Sequence, residues 1–161
     1  MRLSILFLPL LFLSQSCLPQ KSIEAALSKY NTNSVEYTFV EDLKKDEAVL
    51  FDSRKLEEYQ VSHIENATWV GYKKFDIESI EERFPDKTTP IVVYCSIGVR
   101  SEDIAEKLLE AGYTEVKNLY GGIFEWTNAG NSLIDSVGTT KKIHGYNKQW
   151  SKLLRQGQIV Y

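Results

Sequence analysis

The sequence predicts an α/β domain built on a central parallel sheet flanked by helices on both faces. Three observations carry that reading. Short apolar segments alternate along the chain with stretches of helical periodicity, the pattern of a parallel sheet covered on both sides. The stretch "PIVVYC", residues 90–95, is an almost uninterrupted apolar run, as expected of a strand buried on both faces. A chain of 161 residues with 43% hydrophobic and 25% charged side chains suffices for one globular domain with a real core and leaves little for a second.

The first residues stand apart from that domain. In "MRLSILFLPLLFLSQSC" one positive charge, Arg2, precedes an apolar run from Leu3 to Leu13. That run is too short to span a bilayer comfortably and has the proportions of a secretory signal. Cys17 follows small polar residues, and Leu13-Ser14-Gln15-Ser16-Cys17 resembles the lipobox of bacterial lipoproteins. The resemblance implies that residues 1–16 are a signal peptide and that Cys17 is lipidated. The mature chain is then expected in the cell envelope or periplasm, touching the membrane only through that anchor. Residues 17–34, polar and loosely helical in "KSIEAALSKYNTNS", are expected to form a tether or short leading helix.

Residues 35–130 carry the domain. "VEYTFV" reads as a strand and "VEDLKKDE" as a short helix or turn. "AVLFDSR" is a strand ending in charge, "KLEEYQVSHI" a helical turn and "ATWV" a short strand. In "DIESIEERF", Ile77, Ile80 and Phe84 recur at helical spacing and Pro85 ends the helix. After "PIVVYC", the stretch "SEDIAEKLLEAG" is a helix with Ser101 as its expected N-cap. Glu102 and Asp103 stand in its first turn, and Gly112 is its stop. "EVKNLYGG" is a further strand and turn, and "IFEWTNAG" a further helix. Residues 131–161 are expected to pack on the domain as an extension, with a final helix around Trp150, Leu153 and Leu154.

The thiols point to the chemistry. The chain has two cysteines, Cys17 and Cys95; if the first carries lipid, the second has no partner within the chain. An exported protein with one free thiol is unusual, because oxidising compartments pair thiols or lose them. Cys95 stands at the carboxyl end of the strongest strand, where loops lead into helix N-termini and α/β proteins place their sites. Gly98 lets the following loop curl with its N–H groups pointing inward. The next helix aims its positive end at the loop, and Arg100 adds a full charge. Such surroundings lower a thiol pKa and hold a sulfur anion or an oxyanion.

"CSIGVRS", residues 95–101, resembles the active-site loop of the rhodanese sulfurtransferase family, Cys-x-x-Gly-x-Arg-Ser. Two further segments match in order. "VLFDSRKLEEYQVSHIENATWV" contains Asp52, Arg54, Glu58, Tyr59, His63, Ile64 and Ala67 at the spacing of that family's earlier signature, and "VKNLYGGIFEW" resembles its closing strand, Gly-Gly turn and tryptophan helix. Ser62 and Asn66 stand where the family often has glycine. The resemblance implies that Cys95 takes a sulfane sulfur as a persulfide from a donor such as thiosulfate or a persulfide. A thiol, cyanide or a protein acceptor then removes it. It implies that backbone N–H groups of Ser96, Ile97, Gly98, Val99 and Arg100 cradle the sulfur and that Arg100 holds anionic donors. Ser101 is then expected to cap the helix or assist at the pocket. Asp52 and Arg54 are expected to fix the neighbouring loop, and His63 to sit in a structural turn. Trp69, Tyr94 and Trp126 are expected in the core.

Related oxyanion-handling loops of phosphatases and arsenate reductases are one residue longer between cysteine and arginine than Ser96–Val99. The shorter loop makes a tighter cradle, suited to one sulfur. A binding module without catalysis, or a sulfur carrier serving a protein partner, is the alternative. The net charge of -3 gives no general basic surface and argues against nucleic acid. No metal-ligand spacing or nucleotide motif occurs, so neither metal nor cofactor is expected.

Overall fold

The structure, a computed structural model, describes residues 22–43 and 47–161. The apolar run Leu3–Leu13 and Cys17 lie outside the described residues. Among the described residues no helix is long and apolar enough to cross a membrane.

Ser22 opens the first helix, α1 (Ile23–Tyr30), its hydroxyl accepting from the Ala25 N–H at 3.0 Å. β1 (Tyr37–Thr38) and α2 (Val40–Leu43) follow. Next come β2 (Val49–Asp52), α3 (Leu56–Val61), β3 (Thr68–Trp69) and α4 (Ile77–Arg83). The central pair is β4 (Ile91–Tyr94) and α5 (Val99–Glu110), followed by β5 (Val116–Leu119) and α6 (Gly122–Asn128). The five strands form one parallel sheet in the order β1-β5-β4-β2-β3.

Alternation along β4 builds the two halves of the core. Ile91 and Val93 point to one face, where Ile80 of α4 and Ile104, Ala105 and Leu108 of α5 cover them. Val92 and Tyr94 point to the other, against Ala26 and Leu27 of α1 and Ile123 and Phe124 of α6. All four β4 residues are buried, as a strand covered on both faces must be. The α/β class with a parallel sheet between helical layers is thus realised. The outer strands are shorter than their apolar segments: of "VEYTFV" only Tyr37 and Thr38 pair, with Asn118 and Leu119.

After α6 the chain adds β6 (Leu133–Ile134) and β7 (Thr139–Thr140), which pair antiparallel. β8 (Lys142–His144) and β9 (Gln158–Val160) then pair in parallel around a 3-10 helix, Trp150–Leu153. Ile143 and Leu153 are buried in the cluster beneath α1 and α6. Asn128 joins this segment to α6: its side-chain amide donates to the Leu153 carbonyl at 3.0 Å, and its Oδ1 accepts from the Arg155 N–H at 2.7 Å.

Strands β2 and β4 are neighbours, but the chain leaves β2 toward β3 on one side and β4 toward β5 on the other. At such a switch point the loops at the strands' carboxyl ends diverge and leave a crevice. Asp52 ends β2 and Cys95 follows β4, so the topology brings the two sequence motifs to one place.

Candidate active site

Cys95 is 1% exposed at the end of β4, and its Sγ accepts a hydrogen bond from the Gly98 N–H at 3.2 Å. Gly98 has φ +106°, a left-handed conformation that side chains resist. It is the N-cap of α5, which begins at Val99. The expected N-cap, Ser101, is therefore displaced into the first turn. The left-handed glycine turns the chain into the helix earlier than a serine cap would, and the Ser101 hydroxyl, fully buried, donates instead to Asn118 Oδ1 at 2.7 Å.

The loop carbonyls are tied away from the sulfur. Those of Cys95 and Ser96 accept from the N–H groups of Ile123 at 2.9 Å and Phe124 at 3.0 Å. The Gly98 carbonyl accepts from Asn118 Nδ2 at 2.8 Å and Asn31 Nδ2 at 2.9 Å. The first N–H groups of α5, which have no partners within a helix, stay on the cradle side. The approach of α6 needs Gly122, with φ +53°: a Cβ there would lie 2.3 Å from the Cys95 carbonyl oxygen.

Burial pushes the Cys95 thiol pKa up. The Arg100 charge and the Gly98 and Ser101 N–H groups act against that effect, and the thiol pKa is held below its ordinary value. Arg100 in turn is clamped by Glu58, with Nη1 2.8 Å from Oε2 and Nη2 2.9 Å from Oε1. Its Nη2 also donates to Ser96 Oγ at 3.0 Å, and the Tyr146 ring lies 4.8 Å from its guanidinium carbon. Burial acts to raise the Glu58 carboxyl pKa, but the Arg100 hydrogen bonds and charge hold it below the usual range.

A cavity of about 310 Å³ opens above the thiol, with Cys95, Ser96, Ile97, Val99 and Arg100 as its floor and Tyr30, Tyr146 and Trp150 as its walls. Gly98, whose N–H donates to the sulfur, and Ser101 do not line this space. Asp52 and Arg54 stand beside it as a fully buried ion pair, 2.6 Å at closest approach. Arg54 Nη2 also donates to the Ser62 carbonyl at 2.7 Å, which holds the chain after α3. His63 stacks on Tyr59 with ring centroids 3.9 Å apart, and its backbone bridges to Ile134, away from the cavity. Tyr94 is fully buried, whereas Trp69 and Trp126 are half-buried with their indole N–H groups donating to the carbonyls of Arg54 and Ser132.

Sequence reading missed three sets of contributors. Glu58 was visible as part of a motif, but its ion pair with Arg100 forms across 42 positions. Asn118 and Asn31 reach the loop through space, and no local pattern announces either. The walls from Tyr30, Tyr146 and Trp150 come from segments at opposite ends of the chain.

The rhodanese-like domain family model matches residues 37–129. The thiosulfate sulfurtransferase GlpE of Coxiella burnetii is 36% identical over 84 residues, which are 52% of this chain and 76% of that protein. The tRNA uridine(34) hydroxylase of Chlamydia pneumoniae is 30% identical over 108 residues, 64% of this chain but only 33% of that protein. Among solved structures, the thiosulfate sulfurtransferase from Pseudomonas aeruginosa is similar at TM-score 0.59 and 26% identity, over 81% of this chain and 25% of that one.

Proposed function

The chain belongs to the rhodanese-like domain family, and from that premise we propose that it is a sulfurtransferase carrying a sulfane sulfur on Cys95. The observation that carries this reading is the thiol itself. It is buried at the end of the central strand, yet Arg100 and the backbone N–H groups of Gly98 and Ser101 hold it toward the thiolate against that burial. The thiolate is the nucleophilic form.

In the first half-reaction the Cys95 thiolate attacks the outer sulfur of a donor such as thiosulfate or a persulfide. A new S–S bond forms as the donor's own breaks, and the electron pair leaves on sulfite or on the donor thiolate. In the second, a thiolate or cyanide attacks the outer sulfur of the Cys95 persulfide, and the pair from the breaking bond returns to Cys95. The N–H groups of the loop and the start of α5 stabilise the negative charge at each stage. Two half-reactions through a covalent intermediate give ping-pong kinetics. The partners are a small sulfur donor and a thiol or cyanide acceptor, with a protein thiol as a further acceptor. The name of the Coxiella relative, a thiosulfate sulfurtransferase, supports the reaction class.

The test is mass spectrometry of the purified chain after incubation with a panel of sulfane donors. A gain of one sulfur atom that Cys95→Ser abolishes is the expected result, and no gain with any donor overturns the proposal. The proposal extends to location: export on residues 1–16, a lipid on Cys17 and residence in the cell envelope. Labelled palmitate on Cys17 is the expected finding, and an unmodified Cys17 on the mature chain overturns the anchor.

A further inference from the structure

Resting on the sulfurtransferase reading, we propose that the cavity selects sulfur carriers of low charge with an apolar or aromatic body, and that the dianion thiosulfate is a poor donor for this protein. Charge is the first ground. Arg100 contributes the cavity's cationic side chain, and both of its terminal nitrogens are bound to Glu58, one also to Ser96. With Cys95 as thiolate, the group of Cys95, Arg100 and Glu58 carries one net negative charge. A dianion therefore meets no uncompensated positive charge where it must place its outer sulfur, whereas a monoanion or neutral persulfide loses less.

Shape is the second ground. Above the loop the cavity is bounded by Ile97, Val99 and the rings of Tyr30, Tyr146 and Trp150. Tyr30 and Trp150 meet edge to face with centroids 6.0 Å apart. The volume of about 310 Å³ is at the small end for ligand pockets. It suits one ring or a short aliphatic chain.

The three rings lie outside residues 37–129, the part matched to the family, whereas Ile97 and Val99 lie within it. The two segments that supply the rings are anchored independently. Glu102 accepts from the N–H groups of Thr32 at 3.1 Å and Ser34 at 3.2 Å, which fixes the segment after Tyr30. Ser151 Oγ and the Tyr161 hydroxyl lie 2.8 Å apart in a hydrogen bond beside Trp150.

The test compares three donors: thiosulfate, methanethiosulfonate and benzenethiosulfonate. The last two are monoanions that differ in the body beside the sulfonyl group. In each case the Cys95 thiolate takes the outer sulfur, and sulfite or the corresponding sulfinate leaves with the electron pair. Single-turnover rates of persulfide formation in the full chain are divided by the rate of the same donor with a free small thiol, which removes differences in leaving group. The expected order is benzenethiosulfonate over methanethiosulfonate by about tenfold, with thiosulfate slowest. Trp150→Ala and Tyr30→Ala each lower the benzene-to-methane ratio several-fold. Normalised rates for thiosulfate equal to or above those for benzenethiosulfonate overturn the inference, as does a ratio unchanged in both variants. Absence of sulfur on Cys95 with all three donors is a different result, since it removes the sulfurtransferase reading itself.

Discussion

Cys95 owes its reactivity to its neighbours, because burial by itself favours the neutral thiol. The depressed thiol pKa predicts that the rate of alkylation by iodoacetamide rises with pH through an inflection below the ordinary thiol value. Arg100→Met should move that inflection upward by about one to three units, because it removes the cation and leaves the Glu58 carboxylate without its partner. Glu58 makes a separate prediction for stability. Its folded-state pKa is lowered, so its contribution is complete above the ordinary carboxylate range and is lost as pH falls through the depressed value. Urea midpoints measured across acid pH should show that loss in the native chain and a flatter profile in Glu58→Gln. The variant itself should be about 3–5 kcal/mol less stable near neutrality, the cost of leaving a buried charge without its partner. The loop from Cys95 to Ser101 was legible because its chemistry is contiguous in the chain. The charge balance was not, because Glu58 and Arg100 meet only after β2 and β4 have paired.

At the scale of elements, the strongest periodic signals became elements and the weakest boundaries moved. "PIVVYC" became β4, because four consecutive apolar residues need cover on both faces of a strand, and helices supply it on each side. The start of α5 moved from Ser101 to Val99, because a left-handed glycine overrode the usual preference for serine at a cap. The Gly-Gly turn after β5 was visible as a motif, but its purpose is a contact with another element: α6 donates to the Cys95 and Ser96 carbonyls from directly behind the loop. Gly122→Ala would put a methyl group 2.3 Å from the Cys95 carbonyl oxygen. It should displace the loop, cost about 1–3 kcal/mol or more and abolish most persulfide formation. Gly112 supplies the control. It also has a positive φ, +91°, but an added Cβ there meets nothing within 4 Å. Gly112→Ala should cost about 1 kcal/mol and leave sulfur transfer intact. Urea denaturation with single-turnover assays on both variants separates backbone strain from displacement of the site.

At the scale of the molecule, the parallel sheet determines where the site lies, and the segments at the two ends of the described chain determine what reaches it. The first was legible, since strand and helix alternation fixes the class and the class places chemistry at the carboxyl ends of the strands. The second was not, since "TTKKIHGYNKQWSKLLRQGQIVY" reads as a basic and aromatic tail until Tyr146 and Trp150 are seen lining one cavity with Cys95. The join that sets this arrangement is Asn128, 7% exposed at the end of α6. Its side chain donates to Leu153 and accepts from Arg155, and its own carbonyl accepts from Gln156 Nε2 at 3.0 Å. Asn128→Ala removes the two side-chain bonds to the tail, together with one to Glu125, and keeps the backbone one, so a buried carbonyl and a partly buried N–H of the tail lose their partners. The expected cost is about 1–3 kcal/mol, read from the urea midpoint. Its effect on the site should be one of access alone. With the tail held less firmly, Trp150 covers the thiol for a smaller fraction of the time, and Cys95 should react faster with a small alkylating agent at every pH. The inflection of that rate with pH should stay where it is in the native chain, because Arg100 is fixed by Glu58, and Gly98 by Asn118 and Asn31, none of which belongs to the tail. A shift of the inflection in Asn128→Ala would show instead that the tail helps set the thiol's charge.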